Sequence, residues 1–118
     1  MWLSERSQSQ IAECGAEMGT VTLAGNPAGV YLAGERRNLP VLSPGGFAWA
    51  PQAGDQVLVI KTGAAGEAPY VVAVRQNDSV SPGSVRISNG AGTASVILDA
   101  SGTLALNART ILINGQAL

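Results

Sequence analysis

The last third of the chain decides which folds are open to it. Residues 84–114 read SVRISNGAGTASVILDASGTLALNARTILIN. Short runs in this stretch alternate aliphatic with other side chains, at 84–88, 94–99, 103–107 and 109–114. Alternation places every second side chain on the same face of a strand, so each run predicts a short strand. Each strand would carry two aliphatic residues on one face, namely Val85, Ile87, Val96, Leu98, Leu104, Leu106, Ile111 and Ile113.

This segment is too short to enclose an interior of its own. Small chains bury only a modest fraction of their surface, and isolated strands leave unpaired edges. Three copies wound around one axis would pair every edge with the next chain and bring the aliphatic faces together. A narrow axis also accounts for the lack of any aromatic residue in 84–118. We therefore expect a homotrimer whose core consists of the eight aliphatic residues named above.

The earlier part of the chain predicts a second unit that is also built from strands. β-prone runs lie at 20–23, 29–32, 39–42, 56–61 and 70–75. Clusters of Gly, Pro, Asn and Asp join these runs, as expected for tight turns between strands. Five strands in about 75 residues fit a small closed or half-closed barrel.

The boundaries follow from changes in composition along the chain. Residues 9–18 alternate too strictly for a helix, so a first strand or an irregular lead-in is favoured there. Residues 35–38 read as a solvated loop, because three of the four are charged. We expect a lead-in strand or arm at 1–18, a barrel at 19–77, a polar linker at 78–83 and the intertwined segment at 84–118.

The composition argues against catalysis and against a nucleic-acid partner. The chain has 118 residues, enough for one domain, or two if one is small, and it contains no histidine. It therefore lacks the commonest general base and the commonest metal ligand. The single cysteine, Cys14, has no partner for an intramolecular disulfide and no histidine to activate it. The net charge of −1 does not favour binding to phosphates. We expect no enzyme, no catalytic residue, no metal site and no cofactor.

The surface is expected to be partly covered by other subunits. Charged residues make up 13% of the chain, against about 25% in typical globular proteins. The mean hydropathy is +0.20, yet no apolar run approaches the roughly 20 residues of a membrane span. The first residues also lack the pattern of a signal peptide.

One group of residues has two possible interpretations. Arg36 and Arg37, together with Tyr31, Phe47 and Trp49, could form a nucleic-acid groove in which aromatic side chains stack on bases. The alternative is a solvated loop at 35–38, with Phe47 and Trp49 as packing residues. We favour the second interpretation, because nothing else in the chain is basic enough to support the first.

The carboxylates and the Asn-Gly pairs are predicted to be turn residues. Asp55, Asp78 and Asp99 lie at the ends of strands or between them, so they do not suggest a glycosidase pair. Asn89-Gly90 and Asn114-Gly115 are typical of tight turns.

Several segments, taken in order, resemble the baseplate spike proteins of contractile phage tails and tail-like particles, the baseplate assembly protein V type. The resemblance extends from about Gly19 to the end of the chain. The segments that carry it are GDQVLV at 54–59, YVVAVR at 70–75, GSVRI at 83–87, ASVILDASGTL at 94–104 and ILING at 111–115. In that family a stretch like 94–104 opens a trimeric β-helix, and one like 111–115 closes it.

The resemblance implies an all-β homotrimer in which an oligonucleotide/oligosaccharide-binding (OB) barrel precedes an intertwined triple-stranded β-helix. It implies a structural role on the axis of a tail baseplate, below a hub protein, in piercing the target-cell envelope when the sheath contracts. The expected partners are two sister copies, the hub or baseplate protein and, transiently, the envelope. The protein would be made in the bacterial cytoplasm. The chain ends soon after its last predicted strand, which implies a short spike and leaves room for a separate tip-capping protein.

The chain departs from the family at one kind of site. Some members hold a buried iron ion with a pair of histidines near the tip, and this sequence has no histidine. Asn107 and Asn114 could line an axis, but neutral amides are poor iron ligands, so no metal is expected.

Two other functions remain open on the sequence alone. The chain could be an OB-type module that binds single-stranded nucleic acid or oligosaccharide, with its last third as an oligomerisation stem. It could also be a small subunit of a secretion machine related to contractile tails.

Overall fold

The computed structural model describes residues 15–77 and 79–118 and confirms an all-β chain with antiparallel sheets. Within those residues there is no helix, and hence none long and apolar enough to cross a membrane. The chain divides into two compact units, the first ending at Arg75 and the second running from Gln76 to Leu118. Most of the lead-in expected at 1–18 lies outside the described residues. Asp78 also lies outside them.

The first unit is a five-stranded antiparallel sheet. Its strands are β1 (Ala16–Leu23), β2 (Ala28–Tyr31), β3 (Glu35–Leu39), β4 (Gln56–Thr62) and β5 (Ala68–Val74). The order across the sheet is β3-β2-β1-β4-β5, so β1 pairs with both β2 and β4.

The outer strands of this sheet are joined by the chain that follows β3. Val41 forms an isolated parallel bridge with Val71 of β5. On either side of it, the Leu42 N–H donates to the Val71 carbonyl and the Val71 N–H donates to the Pro40 carbonyl, both at 2.9 Å. The N–H and carbonyl of Val71, on the outer strand β5, therefore find partners within the same unit.

The core of the first unit is aliphatic and comes from one face of the sheet. In β4, Val57 and Val59 are fully buried and the residues between and beside them are not, as expected for alternation along a strand. The buried residues are Val21, Ala28, Val30, Leu39, Val57, Val59 and Val71, with Leu32, Val41 and Trp49 packed against them.

Gly19 lies where β1 pairs with β2, at a position that has no room for a side chain. A Cβ atom at this position would lie 2.6 Å from Cγ1 of Val30, 2.5 Å from Cδ2 of Leu32 and 2.8 Å from the carbonyl oxygen of Tyr31. Real Cβ atoms do not approach other heavy atoms this closely, so any side chain here would push the strands apart.

The loop expected at 35–38 is wrong, because these residues form most of β3. Tyr31 pairs with Glu35 and Val30 with Arg36, so the pairing with β2 overrides the low strand propensity of charged residues. Charged side chains are common on outer strands. The first strand also begins at Ala16, before the boundary expected at residue 19, because residues 16–20 pair with β4.

The second unit contains a three-stranded sheet and a small hairpin. The sheet has the order β6-β7-β8, from strands β6 (Val85–Ser88), β7 (Ser95–Leu98) and β8 (Leu104–Asn107). The hairpin pairs β9 (Leu112–Ile113) with β10 (Gln116–Ala117). Three of the predicted runs thus form strands, whereas the run at 109–114 contributes only two strand residues.

The hairpin turn explains why the last run is so short. Asn114 and Gly115 both have positive φ angles, 50° and 79°. Two central residues with positive φ are the requirement of the tight hairpin turn that Asn-Gly favours. The chain therefore reverses at 114–115, as the Asn-Gly pair predicted.

The loops that join the three strands have similar sequences and similar bonding. NGAGT at 89–93 and DASGT at 99–103 each begin with a side chain whose Oδ1 accepts the N–H four residues later. Those bonds are 2.9 Å long from both Thr93 to Asn89 and Thr103 to Asp99. Together with the hydroxyl of Ser101, the Thr103 N–H lowers the pKa of Asp99 below its ordinary value. Each loop also has one glycine with positive φ, Gly92 and Gly102.

Candidate functional site

Aliphatic side chains from three strands share one face of the β6-β7-β8 sheet. The antiparallel register places Leu98 opposite both Val85 and Leu104, and Val96 opposite both Ile87 and Leu106. Residues that face each other across strands lie on the same side of a sheet. The aliphatic face therefore consists of two rows, which are Val85, Leu98 and Leu104, and Ile87, Val96 and Leu106.

This aliphatic face is not covered by any other described part of the second unit. Five of its six side chains are between 47% and 58% exposed, and Val96 is half-buried. No residue in 76–77 or 79–118 is buried, so this unit has no interior among its described residues. A contiguous apolar patch of this kind on a folded chain marks an interaction surface.

The opposite face of the same sheet has a different character. One row runs across it through Arg86, Ile97 and Ala105, and the other through Ser88, Ser95 and Asn107. A charged group, two hydroxyls and an amide thus take the place of aliphatic side chains. The sheet has one apolar and one largely polar face, a pattern typical of a sheet with one side in water and the other against a partner.

An open depression of about 410 Å³ lies over the second row, and we call it the aliphatic groove. Its apolar wall comes from Ile87, Val96 and Leu106, together with Ile111 from the chain that follows β8. Ala94 and Ala108 add small apolar surfaces, and polar groups lie among its remaining lining residues.

The structure brings seven of the eight predicted core residues together. Six form the aliphatic face, and Ile111 lines the aliphatic groove beside it. Ile113 is exposed on the β9-β10 hairpin and is not among the groove residues. The sequence interpretation omitted Leu112, which is 61% exposed on the same hairpin. The sequence does contain a signal for Leu112, which is the continuous apolar run from Ile111 to Ile113. Alternation alone places Ile111 and Ile113 on the inward face of this run and Leu112 on the outward face.

The residues considered for a nucleic-acid groove do not form one basic surface. Arg36 and Arg37 are exposed on β3, but Glu35 lies beside them, with its Oε2 3.9 Å from Arg37 Nε. Trp49 packs against the core and donates from Nε1 to the carbonyl of Leu42 at 2.7 Å. The expectation that Phe47 is a packing residue is wrong, because its side chain is 61% exposed on a loop that contains two glycines with positive φ.

Of the three aspartates interpreted as turn residues, the two whose positions are described act in turns. Asp55 Oδ2 accepts the Gln52 N–H at 2.9 Å just before β4, and Asp99 organises the loop between β7 and β8. Among residues 15–77 and 79–118, no group of three or more His, Cys, Asp or Glu side chains is placed to hold a metal ion. Cys14 lies outside the described residues.

The chain matches no protein-family model and no curated protein sequence. The function is therefore inferred from the geometry of the second unit. All six side chains of the aliphatic face are hydrocarbons, so this face has no group that transfers a proton or ligates a metal. What it can do is bind another apolar surface, because burying apolar area is favourable by about 25 cal/mol per Å².

Proposed function

We propose that this protein is a structural spike or baseplate component of a contractile phage tail or a tail-like particle, built as a homotrimer. In this proposal the second unit intertwines with two sister copies as a triple-stranded β-helix. The assembled spike pierces the target-cell envelope when the sheath contracts. The observation that carries the proposal is the aliphatic face, two rows of side chains about half exposed on a unit in which no described residue is buried.

Self-association explains both the exposed face and the exposed edges of this sheet. β6 and β8 are the outer strands of the three-stranded sheet, so each has one edge with no neighbouring strand among the described residues. Pairing β8 of one copy with β6 of the next satisfies both edges, and a closed ring of such contacts leaves no edge free. Three copies form a narrow ring in which the aliphatic faces meet, which suits side chains no larger than Leu and Ile.

The first unit supports the proposal through its strand order. A meander of β1, β2 and β3, the return of β4 to β1, and a parallel contact between the chain after β3 and β5 together give the order of a five-stranded OB barrel. That is the unit which the resemblance to baseplate spike proteins implies ahead of the β-helix. On this proposal the hub or baseplate protein, a separate tip-capping protein and the cell envelope are the partners of the assembled trimer.

The proposed mechanical role follows from the same backbone pairing. In an interwound trimer every strand edge is bonded to another chain, so opening one segment breaks bonds in two copies at once. Regions with densely paired backbone have the highest local unfolding free energies, which is what a part that transmits force requires. This function needs no ionisable group and no catalytic residue.

The first test is the mass of the purified protein measured by light scattering after size exclusion. We expect about 36 kDa, three times the chain mass of 11.9 kDa, together with resistance to mild detergent. A monomer that binds single-stranded oligonucleotide in a salt-dependent way would contradict the proposal and support an OB-type binding module instead.

The second test addresses the location of the protein. Antibodies raised against the purified chain should label the baseplate end of contractile particles from the producing strain in electron micrographs. Deletion of the gene should leave particles that contract but no longer kill or infect. Normal killing by particles that lack the protein would contradict the piercing role, even where the chain is trimeric.

A further inference from the structure

The β9-β10 hairpin presents its two sides to different surroundings. Leu112 pairs with Ala117 and Ile113 with Gln116. Successive residues of an extended chain point to opposite sides, so Leu112 and Ala117 share one side, whereas Ile111 and Ile113 share the other. The first of these sides is entirely apolar and carries Leu112, which is well exposed.

The base of the hairpin is fixed at the rim of the aliphatic groove. Ile111 lines the groove, and its carbonyl accepts the N–H of Leu118 at 2.8 Å, which closes the hairpin. Because Ile111 already points into the groove of its own chain, Leu112 points away from it. The connection from β8 is only residues 108–110, and Ala108 and Thr110 themselves line the groove, so the hairpin has little freedom to turn back.

The second unit therefore has an open apolar groove and, on its hairpin, the exposed apolar side chain of Leu112. The volume of the groove, about 410 Å³, exceeds that of the four carbon atoms of a leucine side chain beyond Cα. Its walls are mostly aliphatic, so they suit Leu112 in chemistry as well as in size. Geometry prevents the two from meeting within one copy.

We propose that Leu112 of each copy inserts into the aliphatic groove of the adjacent copy. This inference rests on the proposed trimer and adds to it the residue that locks neighbouring copies together. The contact is heterologous, since each copy gives its hairpin to one neighbour and receives the hairpin of the other in its groove. A three-fold ring closes such contacts, so every hairpin is received and every groove is filled. Leu112 covers the second aliphatic row of its neighbour, beside Leu106.

The test uses disulfide capture between two versions of the full chain, both with Cys14→Ser. One version carries an affinity tag and Leu112→Cys, and the other carries Leu106→Cys without a tag. After co-expression and exposure to oxidised glutathione, a covalent dimer of the two versions should form, because a disulfide requires Cβ atoms about 3.5–4.5 Å apart. The matched control replaces Leu112→Cys by Ile113→Cys, which points to the other side of the hairpin and should give little mixed dimer.

A second measurement avoids engineered cysteines. Leu112→Ala should weaken trimer formation roughly 10²- to 10³-fold, since each trimer loses three partly buried leucine side chains, whereas Gln116→Ala on the other side of the same hairpin should have little effect. A trimer that gives equal mixed dimer with Ile113→Cys, or no mixed dimer and no weakening by Leu112→Ala, would overturn the interlock and leave the spike proposal standing. A wild-type chain that is monomeric by light scattering would overturn both.

Discussion

Replacing Leu104 tests whether the aliphatic face holds the copies together, and the effect can be worked out from its exposure. Leu104 lies at the end of the first aliphatic row and is 58% exposed in one copy. Full burial of a leucine side chain is worth about 1.5–3 kcal/mol, so covering the exposed part contributes roughly 1–2 kcal/mol per copy. Three such side chains contribute roughly 3–5 kcal/mol to one trimer. Leu104→Ala should therefore lower the association constant roughly 10²- to 10⁴-fold, at about 1.4 kcal/mol per factor of ten.

Leu104→Asp should have a larger effect than the alanine variant. It removes the same apolar area and also places three carboxylates close to one axis, where they repel one another and lose hydration. We expect a monomer at all accessible concentrations. The matched control is Ala105→Asp, which adds one negative charge to the same strand but on the opposite face, in the row of Arg86 and Ile97.

Sedimentation equilibrium at several protein concentrations measures both effects directly. The wild type and Ala105→Asp should fit a trimer, Leu104→Ala a dissociating trimer, and Leu104→Asp a monomer. Circular dichroism of the same samples checks that the first unit remains folded. If Leu104→Asp is as trimeric and as heat-stable as Ala105→Asp, the aliphatic face is not the contact surface and the reasoning is refuted.

Three further variants test local features of the chain. Gly19→Ala should destabilise the first unit by about 1–3 kcal/mol in urea unfolding, because its Cβ collides with β2; Gly34→Ala, which meets no atom within 4 Å, is the control and should change little. Trp49→Phe should cost about 0.5–1.5 kcal/mol by removing the indole hydrogen bond while keeping most of the packing, and an unchanged urea midpoint would count against that bond. Because the fold lowers the pKa of Asp99, its carboxylate stabilises the loop above about pH 4 and loses this effect as the pH falls through the lower folded value. The thermal midpoint of the wild type should accordingly exceed that of Asp99→Ala at pH 7 and approach it in acid, whereas a gap that stays constant down to pH 2 would contradict this.

The strands of the second unit could be predicted from the sequence because two local signals agree there. Alternation placed Val85 and Ile87 on one face, the Asn89-Gly90 pair marked the loop at 89–93, and Asp99 marked the loop at 99–103. The register then follows from short loops, which leave few ways to pair neighbouring strands. Six of the eight predicted core residues therefore lie on one face without any appeal to distant contacts.

Other features depended on contacts that local patterns do not encode. Residues 35–38 form a strand because β2 offers a partner, although three charged side chains favour a loop. The run at 109–114 was interpreted as one strand, yet the positive φ angles of Asn114 and Gly115 create a hairpin that separates Ile111 from Ile113. Leu112 was left out of the predicted core, because alternation selects Ile111 and Ile113, and only the position of the hairpin at the groove makes it a candidate contact.

The two loops NGAGT and DASGT begin ten residues apart and close themselves with their own first side chain. Each strand and the loop that follows it thus form a ten-residue unit whose turn is closed by its own residues. Duplicating one such unit would reverse the direction in which the chain leaves the sheet, whereas duplicating two would restore it. Length could therefore evolve or be engineered in steps of twenty residues, with the same rule for every added pair of strands.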